Sequence, residues 1–303
     1  MSAFRRLAAL TSFVALLAAA CGGGSSSEGS TSGGGEPAAS GVCATVDQAA
    51  GDLLASICEK GVITVSTDPA YPPQSYLNEQ TGEFEGFDID VATEIAKRLG
   101  VEVAWETPAW DVITAGSWNG RWDMSVGSMT ATAERQQVLW FTTPYYYGLA
   151  VAVVPADSTL SDPATDLDGK KVGVCGECTY DAFLQGNLGI DGITIDYVVD
   201  DPDITTYDTD TTALADLSAG RVDAVVTAAS VAQGWIDAGN PGKILSPAYF
   251  GEPMAVAFDK SSELDPSSLL EAVGGILDEM RADGTLAQFS VTWFGIDQSQ
   301  APA

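Results

Sequence analysis

The chain has no histidine. Its absence removes histidine triads, imidazole proton shuttles and the commonest metal-ligating side chain together. Positive charge is nearly as scarce: 13 Lys and Arg stand against 42 Asp and Glu in 303 residues, a formal net charge of −29. A surface of that sign repels phosphate backbones and anionic lipid headgroups, which excludes nucleic acid as a charge-driven partner. Long apolar runs are missing too, since Leu7 to Leu17 is too short to span a bilayer. Apolar material is nonetheless ample at 46%, enough for the cores of one to two domains.

Residues 1–20 have the features of a signal peptide. Arg5 and Arg6 supply a positive region and Leu7 to Leu17 an apolar one. Ala18-Ala19-Ala20-Cys21-Gly22 is similar to a bacterial lipoprotein cleavage box with Cys21 as the acylated residue. The alternative is an ordinary secretory signal that leaves Cys21 in a tail. Gly22 to Ser40 is almost wholly Gly, Ser, Thr, Ala and Glu, so residues 21–42 form a flexible tether. With Cys21 set aside, Cys43, Cys58, Cys175 and Cys178 remain, and an exported, oxidising location accommodates two disulfides. Cys43–Cys58 would clip an N-terminal helix to the first strand, and Cys175–Cys178 would close a local C-x-x-C loop. A thioredoxin-type role for that motif lacks the flanking helix and proline context, and a zinc site lacks ligands. No metal and no cofactor is expected.

From Val62 onward, strand and helix patterns alternate with short loops, which predicts an α/β fold with mainly parallel sheets. The pattern restarts at Lys171, with strands at 171–174, 193–198 and 223–227, so two similar units face one another. Helices are expected at 110–118 and 211–219, and Asp200 to Asp210 as a solvated loop ending in a cap at Thr209 or Asp210. The stretch Asp123 to Tyr147 carries the most suggestive chemistry. A short strand leads to the small hydroxyl residues Ser128, Thr130 and Thr132, then to Arg135 on a one-turn helix. Small donors beside one fixed guanidinium suit the capture of a carboxylate. A merely solvated helix arginine is the competing reading. Asp88 and Asp90 head a helix and suit N-capping better than a metal loop.

The motifs Thr67-Asp68-x-x-Tyr71-x-Pro73, Gly86-Phe87-Asp88-Ile89-Asp90, Gly127-Ser128-Met129-Thr130-x-Thr132-x-Glu134-Arg135 and Phe141-x-x-Pro144-Tyr145 occur in order. Lys171-Val172-Gly173-Val174, the run Ala219 to Val225, and Trp293-Phe294-Gly295 follow. Together, from about Gly61 to Gly295, they resemble the extracytoplasmic solute-binding proteins of polar amino acid ABC transporters, family 3. The resemblance implies a two-lobed periplasmic-binding-protein fold of type II with a two-stranded hinge near Tyr147–Leu149 and Ser246–Phe250. Lobe 1 would comprise 43–148 plus 249–297, lobe 2 149–248, and a tail 298–303. It further implies a carboxylate-binding arginine at Arg135 and hydroxyl and backbone donors at Ser128 and Thr130. Aromatic walls would fall at Tyr71 and Trp110, an acid near the ligand amine at Asp68, and a second-lobe helix start at Glu177-Cys178-Thr179. Tyr71 and Trp110 as core packing, and Asp68 as a turn former before Pro69, are the plainer readings.

Two departures stand out. Where the family's α-amino-acid binders place an acid, five residues after Asp223, this chain has Ala228; Glu177 stands where the family has glycine. The expectation is that Glu177, with Asp68, holds the ligand cation. A solvent-facing Glu177 beside the Cys175–Cys178 loop is the alternative. The implied protein is a monomeric, lipid-anchored receptor outside the cell membrane that passes an amino acid or related solute to an ABC permease. The rivals are a dehydratase or lyase acting on a small cyclic acid through Asp68 and Glu177, and a ligand-sensing module.

Overall fold

In the computed structural model, residues 41–301 are described. The expected signal peptide, the acylation site Cys21 and the tether up to residue 40 lie outside the described residues. A 3-10 turn at Gly41–Ala44 precedes helix α1 (Leu53–Lys60), which is capped by the Asp52 carboxylate on the Ala55 N–H. Cys43 and Cys58 are joined, as are Cys175 and Cys178. The first bridge ties the 3-10 turn to α1, however, and not a helix to the first strand, because Cys58 falls within α1.

Strand β1 (Val62–Ser66) is followed by a small antiparallel sheet of β2 (Ala70–Tyr71), β3 (Ser75–Leu77) and β4 (Phe84–Glu85). Helix α2 (Phe87–Leu99) starts at Gly86, where φ is 133° and a Cβ would lie 2.2 Å from the Gln74 carbonyl oxygen. Only glycine fits there. Then come β5 (Glu102–Glu106), α3 (Trp110–Thr114), β6 (Met124–Thr130), β7 (Leu139–Phe141) and the long β8 (Tyr146–Pro155). The second unit holds β9 (Lys171–Cys175), α4 (Thr179–Leu184), β10 (Asp203–Tyr207), α5 (Asp210–Ser218), β11 (Ala224–Ala228), α6 (Ala229–Asp237) and β12 (Gly242–Ile244). The chain returns through β13 (Phe250–Asp259) to α7 (Ser267–Ala282) and α8 (Thr285–Phe294).

One sheet runs through both units in the order β10-β9-β11-β8-β13-β6-β1-β5. Strands β5, β1 and β6 are parallel at one end, and β10, β9 and β11 at the other. β8 and β13 join them as an antiparallel pair in which Tyr146 to Ala150 oppose Met254 to Phe250. This pair is the hinge, and on its β13 side it lies a few residues beyond the expected Ser246–Phe250. Two separate cores flank it. One collects Val153, Val174, Leu214 and Val226; the other collects Ile57, Val65, Phe87, Ile95, Val256 and Leu277. Each such fully buried side chain contributes roughly 1.5–3 kcal/mol of transfer free energy.

Two expected elements differ. The helix at 110–118 stops after Thr114, because Gly116 and Ser117 adopt positive φ. The Asp259 carboxylate takes the Ser117 and Trp118 N–H groups at 3.2 and 2.6 Å, and Trp118 is buried instead of following the helix. Residues 193–198 make no strand. The neighbour of β9 is β10, inside the acidic run expected to be a loop. An edge strand pairs on one side only, so acidic flanks do not prevent the ladder. The cap at Thr209 is present, with a reciprocal bond to Thr212.

Candidate functional site

Where the two units face each other, loops from both converge on a cavity with about 480 Å³ of atom-free space, mouth included. The turn after β1 brings Asp68 and Tyr71, and α3 starts at Trp110. β6 ends in Ser128 and Thr130, and the following 3-10 turn carries Arg135. The second unit contributes Cys178, Thr179 and Tyr180 at the head of α4, and Asp210 at the head of α5. The hinge strand β13 adds Glu252 and Met254.

Arg135 is 7% exposed. Its Nη1 donates to the Thr130 carbonyl at 3.1 Å and its Nη2 to the Glu177 carbonyl at 2.7 Å, with the guanidinium carbon 5.1 Å from the Trp110 ring centre. Burial lowers its pKa to about 10, against the upward pull of Glu252, Tyr180, Glu134 and Glu177. It therefore stays cationic at neutral pH. Trp110 Nε1 also donates to the Glu177 carbonyl, at 3.2 Å.

Ser128 lines the cavity, but its donors are already used. Its N–H donates to the Tyr145 hydroxyl at 3.0 Å and its Oγ to Asp88 at 2.7 Å, while Tyr146 donates to that Oγ at 2.7 Å. Asp88 also accepts from Tyr145 at 2.6 Å and is fully buried. Burial raises its pKa to about 7; the Tyr145 and Ser128 hydroxyls oppose the rise and Asp68 adds to it. The expected ligand-facing donors of Ser128 thus serve as a brace beneath the cleft. Thr130 reaches the hinge, with its Oγ1 3.4 Å from Glu252 and 3.3 Å from Met254 Sδ. Asp68 accepts from the Ala70 N–H at 2.7 Å, so it shapes the Pro69 turn and lines the cavity as well. Burial raises its pKa.

Two expected site residues are not brought to the cavity. Glu177 is in the left-handed region, with φ 59°, and its exposed side chain borders an outer groove beside Glu134 and Gln185. Its carbonyl, not its carboxylate, hydrogen-bonds Arg135. Ala228 ends β11, 1% exposed, away from the cavity lining.

Several cavity residues are not assigned to a site by the sequence, Glu252, Asp210 and Tyr180 among them. Glu252 lies opposite Gly148 in the hinge, accepts the Thr179 hydroxyl, and accepts the Tyr180 hydroxyl at 2.9 Å. Burial raises its pKa; the two hydroxyls and Arg135 hold the rise back. One acid inside the apolar run Phe250 to Phe258 was the available signal. Asp210 was read as a helix cap; it is 4% exposed and accepts the Thr227 hydroxyl. Tyr180, one residue into α4, lines the cavity and carries no sequence signal of that role. The Cys175 and Cys178 sulfurs and an Asp210 oxygen lie within 4.8 Å of one another, but the sulfurs are bonded together and offer no thiolate to a metal.

Several bonds cross the cleft. Gln74 Nε2 donates to Ser230 Oγ and Thr211 Oγ1 to the Ala70 carbonyl, both at 2.7 Å, and the Ala133 N–H donates to the Gly189 carbonyl at 3.0 Å. Two α/β lobes, a paired-strand hinge and a buried arginine at their junction define a solute-binding protein of the two-lobed class. Within that class the chain belongs to the bacterial extracellular solute-binding proteins, family 3, whose profile matches residues 63–296.

Among the relatives is the L-cystine-binding protein TcyJ of Escherichia coli, 32% identical over 247 residues, which are 81% of this chain and 87% of that protein. A solved ancestral arginine-binding protein bound to glutamine is 33% identical over 78% of this chain and 98% of that one, with a TM-score of 0.66. The solved ancestral amino acid-binding protein AncCDT-1, a precursor of cyclohexadienyl dehydratase, has a TM-score of 0.68 at 28% identity, over 80% and 99% of the two chains.

Proposed function

We propose that this protein captures an amino acid in the interlobe cleft and delivers it to an ABC permease, acting as a binding component and not as an enzyme. The observation that carries the reading is Arg135, a guanidinium buried at the junction of both lobes and facing a cavity with hydroxyl and aromatic walls. Such a group recognises a carboxylate, and a ligand touching both lobes favours the closed arrangement. The relatives named for cystine and arginine binding support an amino acid as the solute. The presence of separate cores on either side of the β8–β13 pair supports lobe limits of 43–148 with 249–297, and 149–248.

The lipid anchor at Cys21 rests on the cleavage-box sequence and the tether that follows it. Among the described residues no helix is long and apolar enough to cross a membrane. The dehydratase alternative needs Asp68 and Glu177 as an acid–base pair, and the exposed Glu177 carboxylate outside the cavity speaks against that pairing. A thermal-shift screen of amino acids tests the proposal, since stabilisation scales as RT ln(1 + [L]/Kd). At least one should raise the melting temperature in a saturable way. A flat response across the whole set would overturn the reading.

A further inference from the structure

The cavity is lined by more carboxyl groups than its one arginine can pair with. Asp68 comes from the turn after β1 in one lobe, and Asp210 opens α5 in the other. Neither forms an ion pair among the described residues. The charged neighbour of Arg135 within the cavity is Glu252. Asp68 and Asp210 both line the same cavity, one from each lobe, and the charge of Asp68 acts on Asp210 there. Asp210 is 4% exposed, and only its Oδ1 is engaged by another residue, the Thr227 hydroxyl. Among the described residues no other buried second-lobe acid lines the cavity: Asp208 is exposed, Glu177 is exposed and outside the lining, and Ala228 has no charge to offer.

Helix capping does not explain this placement. Thr209 and Thr212 already cap α5 reciprocally, and an acid in the first turn could favour the helix dipole from the surface without being desolvated. Two like charges brought together by hinge closure resist that closure, and a cation held between them reverses the sign.

Accepting the amino-acid reading above, on which this rests, we propose that Asp210 is a specificity-determining residue that, with Asp68, grips a positively charged nitrogen of the ligand. The two-lobe grip makes that cation a condition of closure, and solutes that present only a carboxylate are rejected.

The test uses the full chain and isothermal titration with L-arginine, L-cystine and L-glutamine as probes, following whichever binds the wild type tightest. Asp210→Asn should weaken that probe by roughly thirty-fold or more, the scale for losing one side of a buried charge contact. Asp68→Asn should do the same, and the double variant should lose less than the product, because both acids share one cation. Asp210→Asn without ligand should melt no lower than wild type at pH 8, which separates recognition from folding. Affinity within about two-fold of wild type in Asp210→Asn, with binding abolished in Arg135→Ala, would overturn the inference and leave the amino-acid reading intact. If Asp210→Asn fails to fold, an unchanged affinity in Asp68→Asn has the same force. Wild-type affinity in Arg135→Ala, or no probe bound by the wild type, overturns the reading and the Asp210 assignment together.

Discussion

The Arg135 guanidinium of one lobe donates to the Glu177 carbonyl of the other at 2.7 Å. The residue expected to grip a carboxylate is therefore also a direct tie across the cleft. Any ligand carboxylate that takes Nη2 does so in exchange for this bond, so ligand binding and lobe contact are linked at one side chain.

Arg135→Ala should weaken binding of the natural solute at least about hundredfold, as removal of a buried charged contact does. The fold should survive with a modestly lowered melting temperature, since the losses are confined to the Thr130 and Glu177 carbonyls and the Trp110 ring. Calorimetry alongside thermal melting checks both, and an unchanged affinity would remove the carboxylate clamp.

Glu177→Gln should leave ligand affinity within about two-fold of wild type, because the side chain is exposed and the backbone carbonyl makes the cross-cleft bond. A tenfold loss by titration calorimetry would restore its carboxylate as a cation acceptor.

The stability of the ligand-free protein should fall as pH rises from about 4 to about 7. Asp88 and Asp210 have folded pKa values raised to about 7 from the ordinary 3.8, so in this window the native state holds protons that the unfolded chain has released. Stability is then fully present below the unfolded value and is lost as pH climbs through the folded one. Melting curves across that range should slope downward, and Asp210→Asn should have a shallower slope. Parallel slopes in variant and wild type would refute the assignment.

Replacing Cys43 and Cys58 with serine should cost about 3 kcal/mol, the expectation for releasing a loop of 15 residues. Urea unfolding checks it, with an m-value equal to or slightly above wild type because the unfolded chain is less constrained. Ligand affinity should be untouched, because the bridge joins the first turn to α1, away from the cleft.

The sequence alone determined the α/β alternation and the motif from Gly127 to Arg135, but it placed one second-unit strand at 193–198 that the structure forms at Asp203–Tyr207. Local rules suffice there: periodicity sets the elements, and glycines such as Gly86 punctuate them. Tertiary structure decided what those residues face. Ser128 has the composition of a ligand donor, but the burial of Asp88 claims its hydroxyl, and Tyr145 claims its N–H. Glu177 has the charge of a cation acceptor, but its side chain is exposed at an outer groove and only its carbonyl bonds Arg135. Asp210 and Glu252 resembled a helix cap and a strand interruption. They become cavity walls only because β13 pairs with β6 and α5 meets β2 across the cleft, contacts between residues far apart in the chain. A buried carboxylate is defined by its distant neighbours, and no local window contains them.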